Sequence, residues 1–176
     1  VVLADCDVIT NMDFKPIVNQ HAQTGADITV VTHTGTYYAD DIKKSTVLNT
    51  DDDGNVKSVL IQPDLSGTCT TSLNIFVMKK DFLIDMISDS MSRGNVSFER
   101  NILQEKCGEL KIKTYEYSQY FSKITNFQSY FKANMELLNS ENAKCLYPPR
   151  KPIYTKVSDK LEISNFTHLH AFYTKI

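Results

Sequence analysis

Two aspartates close the apolar run VVLADCDVI: Asp5 and Asp7. A continuous apolar run of this kind predicts a parallel strand buried on both faces, with both acids at its carboxyl end. In open α/β sheets, ligands collect beyond the carboxyl ends of the strands. The same rule singles out Ser72 and Asn74 in TTSLNIFVM, and Lys123 in YFSKI. Strand-end carboxylates have two uses. They hold Mg2+ against a phosphate, since that ion needs only one or two protein carboxylates, or they cap loop amides. Position alone leaves both uses open for Asp7 and favours the cap for Asp5. Lys123 lies just before a helix cap, a favoured place for a working residue in α/β enzymes, and catalytic and structural roles are both open.

Other polar residues read as ordinary. His21 falls on the apolar side of a helix and is expected to be a packed or edge histidine. His168 and His170 would share one face of a strand, with no further ligand nearby in the sequence to make a metal site. The acids Asp51, Asp52 and Asp53 lack the alternation and the final Glu of a calcium loop, so a solvated turn is expected. No G-x-S-x-G, H-E-x-x-H or P-loop occurs, and the 6 glycines do not cluster into a phosphate cradle. Cys6, Cys69, Cys107 and Cys145 are too scattered for a zinc site or a disulfide framework, which favours free thiols in a reducing cytoplasm.

The elements that must position these residues follow from spacing. Asp13 caps a helix carrying Phe14, Ile17, Val18 and His21, and Gly25 ends it. ADITVVTHTG is a second buried strand, so the opening reads as strand, helix, strand. Asp53-Gly54 marks a hairpin between two strands. A strand to about Met78 precedes a helix that buries Phe82, Leu83, Met86, Ile87 and Met91. Ser97 caps a further helix with Phe98, Ile102 and Leu103 inside. LKIKTYEYSQYFSKI alternates as a strand. Asn126 caps a helix buried through Phe127, Tyr130, Phe131, Met135 and Leu138. The prolines of YPPRKP stop regular structure near residue 148. The expected division is therefore 1–147 and 148–176, the second part short and β-prone.

The totals bound the function class. The chain has 176 residues, 41% of them hydrophobic and 23% charged, with a net charge of −2. That is enough for one globular α/β domain and a small appendage. The balance carries no basic excess for nucleic acid, and no apolar run approaches a membrane span. The chain opens at VVLADCD with neither Met nor a charged leader, which leads us to expect sequence upstream.

The order of the pieces is specific. A strand ends in Asp and is followed by MDF, then HAQTGADITVV, VLNTDDDGNVKSVLIQP, TSLNIFVM and SYFKANMELL, before PPRKPIYTK. Over residues 1–157 this order resembles the ADP-glucose pyrophosphorylase (glucose-1-phosphate adenylyltransferase) family, and within it the GlgD-type subunit of glycogen synthesis. The resemblance implies a Rossmann-like, GT-A-like nucleotidyltransferase fold: a mixed sheet with flanking helices, here lacking its first strands and leading into a left-handed β-helix. It implies a Mg2+-dependent reaction of ATP with glucose 1-phosphate in active relatives. It also implies a cytoplasmic protein, with a catalytic subunit or further copies of the same chain as partners.

The family's site residues carry over unevenly. The Asp of its GDHIY pattern, linked to metal and catalysis, falls on Asp7. The Ser of its SMGIY sugar-site pattern falls on Ser72, and the glycine there becomes Asn74. Its Glu-Lys pair before Pro, which contacts the sugar phosphate, reads Ile61 and Gln62 here. An apolar side chain cannot accept from sugar hydroxyls, and a neutral amide cannot replace a phosphate-pairing ammonium. The Asp of its DVGT pattern, a second metal ligand, reads Lys123, and a lysine repels Mg2+. The resemblance therefore implies a catalytically impaired, regulatory subunit on which Mg2+ is not held productively. An active sugar-phosphate nucleotidyltransferase and a non-catalytic sugar-phosphate or nucleotide sensor are the alternatives.

Overall fold

The computed structural model describes residues 1–153. The chain packs as two units: Val1–Cys6 with Asp13–Ser118, and Asp7–Met12 with the chain from Gln119 on. The expected β-rich element at 148–176, with His168 and His170, lies from residue 154 on outside the described residues.

The first unit is built on a six-stranded sheet. Its strands are β1 (Val2–Ala4), β3 (Ile28–Tyr37), β4 (Thr46–Thr50), β5 (Val56–Ile61), β6 (Gly67–Met78) and β7 (Ile112–Glu116). The order runs β5-β4-β6-β3-β7, and β1 pairs with β6 beyond β4. Among the described strands, β3 and β7 alone are parallel neighbours. The sheet is mixed, with helices flanking it, as the nucleotidyltransferase-like expectation required.

The opening strand departs from its expected form. The apolar run does not continue through Ile9: β1 ends at Ala4 and pairs antiparallel with β6. Its side chains are exposed rather than buried on both faces. Apolar content alone does not separate a central strand from an edge strand. β1 and β3 still run in the same direction, because each is antiparallel to the β6 between them. The strand-helix-strand unit is thus split by an inserted strand.

Helix α1 (Phe14–Thr24) begins where the Asp13 carboxylate accepts from the Lys15 amide and ends at Gly25, whose φ of 58° is left-handed. Ile17 and His21 are buried, whereas Phe14 and Val18 are exposed. After the short α2 (Ala39–Ile42), the β4–β5 hairpin turns on Asp51, which accepts from the amides of Asp53 and Asn55 and pairs with Lys57. These contacts hold its carboxyl well below the usual carboxylate range. The acidic run is thereby used in building the turn. Helix α3 (Lys80–Ser92) sets Phe82, Leu83 and Met86 against a core that includes Ile28, Leu48, Phe76, Leu103 and Ile112. Ile87 and Met91 were expected inside and are exposed. The Ser97 hydroxyl accepts from the Arg100 amide, and the helix it introduces is a π-helical turn, Glu99–Gln104, with Ile102 and Leu103 buried.

The second unit holds a two-stranded ribbon of β2 (Val8–Thr10) and β8 (Phe121–Lys123), then α4 (Phe127–Glu136) and α5 (Ser140–Leu146). Asn126 and Ser129 cap α4 reciprocally. The expected buried face of α4 is not buried. Phe127 is 80% and Phe131 58% exposed, Met135 and Leu138 are also exposed, and Ala133 is the helix's buried residue. Spacing fixes which residues share a face but not whether something lies against it. The sequence reading overlooked α5, although Asn139 caps it through the Glu141 amide. The Asn11 amide donates to the carbonyls of Leu146, at the end of α5, and of Lys151 beyond it, and the Lys151 ammonium returns a bond to the Asn11 carbonyl.

Candidate functional site

In the first unit, β6 carries a bulge opposite β3. Val30 pairs with Phe76 and Thr32 with Ser72, so Val31 faces Leu73, Asn74 and Ile75. Bulges re-aim side chains where a ladder is interrupted. Asn74 sits at its centre with φ +55°, a left-handed backbone that glycine and asparagine adopt most readily. Its amide nitrogen donates to Asp5 Oδ2 at 2.9 Å, and the Asp5 amide donates to the Asn74 carbonyl. Asp5 therefore ends β1 by holding the bulge through the Asn74 side chain, where the expectation was a cap on loop amides. The Asn74 Oδ1 atom is buried without a partner among the described residues. Ser72 is buried, and its hydroxyl accepts from the Asn74 amide. The hydroxyl that the family resemblance assigns to the sugar is thus engaged within the bulge.

Ile61 and Gln62 stand at the end of β5. Thr46 faces Ile61, and Val47 lies between Leu60 and Thr71, so Ile61 and Ser72 are about two strand spacings apart across β4. Ile61 packs against the core, and Gln62 is exposed with φ +50°. The Gln62 amide donates to the Ser45 carbonyl. Asp5, Ser72, Asn74, Ile61 and Gln62 therefore belong to one stretch of the sheet, which offers no cation to a phosphate at these five positions.

The sequence reading passed over Glu116. Its carboxylate accepts from the Thr34 amide at 2.7 Å and from the hydroxyls of Thr32 and Thr34, and it lies 3.7 Å from His33 Nδ1. The strand alternation of KIKTYEY was the available signal. Its partners make it a brace between β7 and β3. Nearby, Tyr37 takes a bond from the Thr71 hydroxyl, and burial raises its phenol pKa. His21, as expected, is a packed histidine: its Nδ1 meets the Thr29 hydroxyl at 2.9 Å. Burial first, then the positive charges of the Val1 amino group and Lys79, lower its pKa.

The second unit brings Asp7 and Lys123 together. Val8 pairs with Lys123 across the ribbon, and the Ile124 amide donates to the Asp7 carbonyl at 2.7 Å. Lys123 Nζ stands 3.9 Å from Asp7 Oδ2, with the lysine side chain 15% and the aspartate 31% exposed. Asp7 Oδ1 is buried with no hydrogen-bond partner among the described residues. An orphan carboxylate oxygen suits a cation, but the ammonium already fixed beside it opposes a second one. Among the described residues, no three His, Cys, Asp or Glu side chains gather to hold a metal. The residues present do not fit Mg2+. Close by, Tyr120 donates to Glu136, and burial followed by that carboxylate raises its pKa to about 12.

No helix among the described residues is long and apolar enough to cross a membrane. No family model matches the chain. It is 24% identical over 162 residues to a glucose-1-phosphate adenylyltransferase of Thermomicrobium roseum, covering 91% of this chain and 37% of that protein. It is 24% identical over 159 residues to the glycogen biosynthesis protein GlgD of Bacillus subtilis, covering 90% and 36%. An adenylyltransferase of Lachnospira eligens is 26% identical over 157 residues, covering 89% and 37%. The chain thus spans under two-fifths of the length of these three relatives. Among solved structures, HddC from Yersinia pseudotuberculosis superposes with a TM-score of 0.61 at 18% identity, over 77% of this chain and 54% of that one, which supports the α/β fold. The resemblance to the ADP-glucose pyrophosphorylase family, GlgD included, therefore holds along about nine-tenths of the chain.

Proposed function

We propose that this chain is part of a GlgD-like glycogen biosynthesis protein, a catalytically impaired subunit that tunes a catalytic glucose-1-phosphate adenylyltransferase subunit in the cytoplasm. The observation that carries the reading is Lys123 beside Asp7, in a chain similar to both adenylyltransferases and GlgD. Phosphoryl and nucleotidyl transfer need positive charge placed against the reacting phosphates. Asp7 supplies one carboxylate towards a metal, and Lys123 cancels it. Ile61 and Gln62 add no cation for a sugar phosphate, and Ser72 is engaged by the bulge.

The reading is tested by pyrophosphate release from ATP and glucose 1-phosphate. The full-length protein alone is expected to show no turnover above background, and co-expression with a catalytic subunit is expected to give a co-purifying complex with altered activity. Turnover by the protein alone at the rate of a catalytic subunit would overturn the reading. Lys123→Asp alone is expected to remain inactive, because Ile61 and Gln62 are unchanged.

A further inference from the structure

The geometry points to a specific role for Lys123: it is a tethered counter-ion that takes the place of a divalent cation at Asp7. This deepens the reading of Asp7 as the metal position of a nucleotidyltransferase-like fold, and it rests on that reading. The main chain on both sides of the pair is fixed. The β2–β8 register sets Lys123 against Val8, and the Ile124 amide holds the Asp7 carbonyl. The ammonium is therefore delivered by strand pairing, not by the chance reach of a surface lysine. Its side chain is largely buried, unlike that of Lys132, which is 73% exposed in its pair with Glu136.

Charge balance explains why a cation is needed there. Asp7 hides Oδ1 completely and keeps Oδ2 toward Lys123 Nζ at 3.9 Å. A partly desolvated carboxylate is costly unless a positive charge stands near it. The distance exceeds that of a hydrogen bond, so Lys123 acts through charge while Oδ1 remains free to accept. A divalent ion at this carboxylate would stand within a few ångströms of the lysine's charge, and a single carboxylate would have to offset both, so the like-charge repulsion disfavours the ion. Lysine and metal are thus alternatives at one site. With Lys123 present the site has no divalent requirement. With its charge removed, Asp7 is left uncompensated and recruits the ion.

The test uses Mn2+ as the probe on the whole chain, read by electron paramagnetic resonance and by thermal melting with and without the ion. Turnover plays no part. Wild type and Lys123→Arg are expected to show no bound Mn2+ and no Mn2+-dependent rise in Tm. Lys123→Ala and Lys123→Asp are expected to melt lower without the ion, to bind one Mn2+, and to regain several degrees on its addition. Asp7→Asn combined with Lys123→Ala is expected to lose that response. If the single variants fold only with Mn2+ present, the rescue itself supports the proposal. Two results overturn it: Mn2+ bound by wild type and lost in Asp7→Asn, or no binding and no rescue in both Lys123→Ala and Lys123→Asp. Failure of the glycogen reading would appear in turnover and co-purification, and would leave these outcomes unchanged.

Discussion

In the first unit, α3 and the π-helical turn close over the sheet, and Ile28, Leu103 and Ile112 are almost wholly hidden. In the second, α4 carries a comparable apolar stripe, yet Phe127, Phe131, Met135 and Leu138 are exposed. The two helices look alike as sequence. The difference is one of degree: α3 exposes Ile84, Ile87 and Met91 but sets the partly buried Phe82, Leu83 and Met86 against a sheet built by distant strands, whereas α4 is held by its cap and by Ala133 and Leu137. Periodicity is a local property and burial is not.

The contrast is sharpest in substitutions that remove the same kind of side chain. Ile28→Ala or Leu103→Ala in the first unit is expected to cost about 3–4 kcal/mol, the range for a large core side chain that leaves a cavity. Phe131→Ala in α4 is expected to cost under about 1 kcal/mol, as for surface positions away from special features. Urea unfolding midpoints would read both. A Phe131→Ala loss equal to that of Ile28→Ala would mean that α4 is covered in solution, and the comparison would fall.

Backbone geometry separates the units further. Asn74 holds a left-handed backbone and the Asp5 bond together. Asn74→Ala loses the bond and keeps the strain, which should cost about 2 kcal/mol. Asn74→Gly loses the bond but relaxes the strain, and should cost less. Equal losses would show that the backbone conformation is not what asparagine serves. In the second unit the matching device is the reciprocal cap of α4 by Asn126 and Ser129. Asn126→Ala is expected to cost about 1 kcal/mol, read as a lower Tm and reduced helicity.

How much of this was legible depended on the range of the physics involved. Caps and turns were readable, because Asp13, Asn126 and the Asp53-Gly54 turn act on amides a few residues away. The Gln62 and Asn74 backbones were not, since neither residue type demands a positive φ. The pairing of Asp7 with Lys123 needed the β2–β8 register, which brings residues more than a hundred positions apart together. The family resemblance placed both at a metal position, but only the fold put an ammonium beside the carboxylate. Asp5 and Asp7 stand two residues apart in the sequence, and the chain sends them to different units. Asp5 closes a strand end on Asn74, while Asp7 meets Lys123.

The smallest expected effect concerns pH, and it falls on the first unit's core. His21 is buried against Thr29, and its pKa lies below the ordinary imidazole value of 6.5. The unfolded chain binds a proton on this ring near that value, while the folded chain binds one only at lower pH. Above pH 6.5 the ring is neutral in both states and costs nothing. As pH falls through 6.5 the unfolded state takes the proton first, so stability declines until the folded ring also titrates. Between pH about 7.5 and about 5.5, wild type should lose more Tm than His21→Gln, by less than the Asn126→Ala loss. The lowered carboxyls of Asp51 and Asp89 act in a separate window, because their stabilisation is lost only as pH falls through and below the ordinary carboxylate range. An identical pH slope in wild type and His21→Gln would mean that the ring is solvated, and that the core at α1 is looser than that of the rest of its unit.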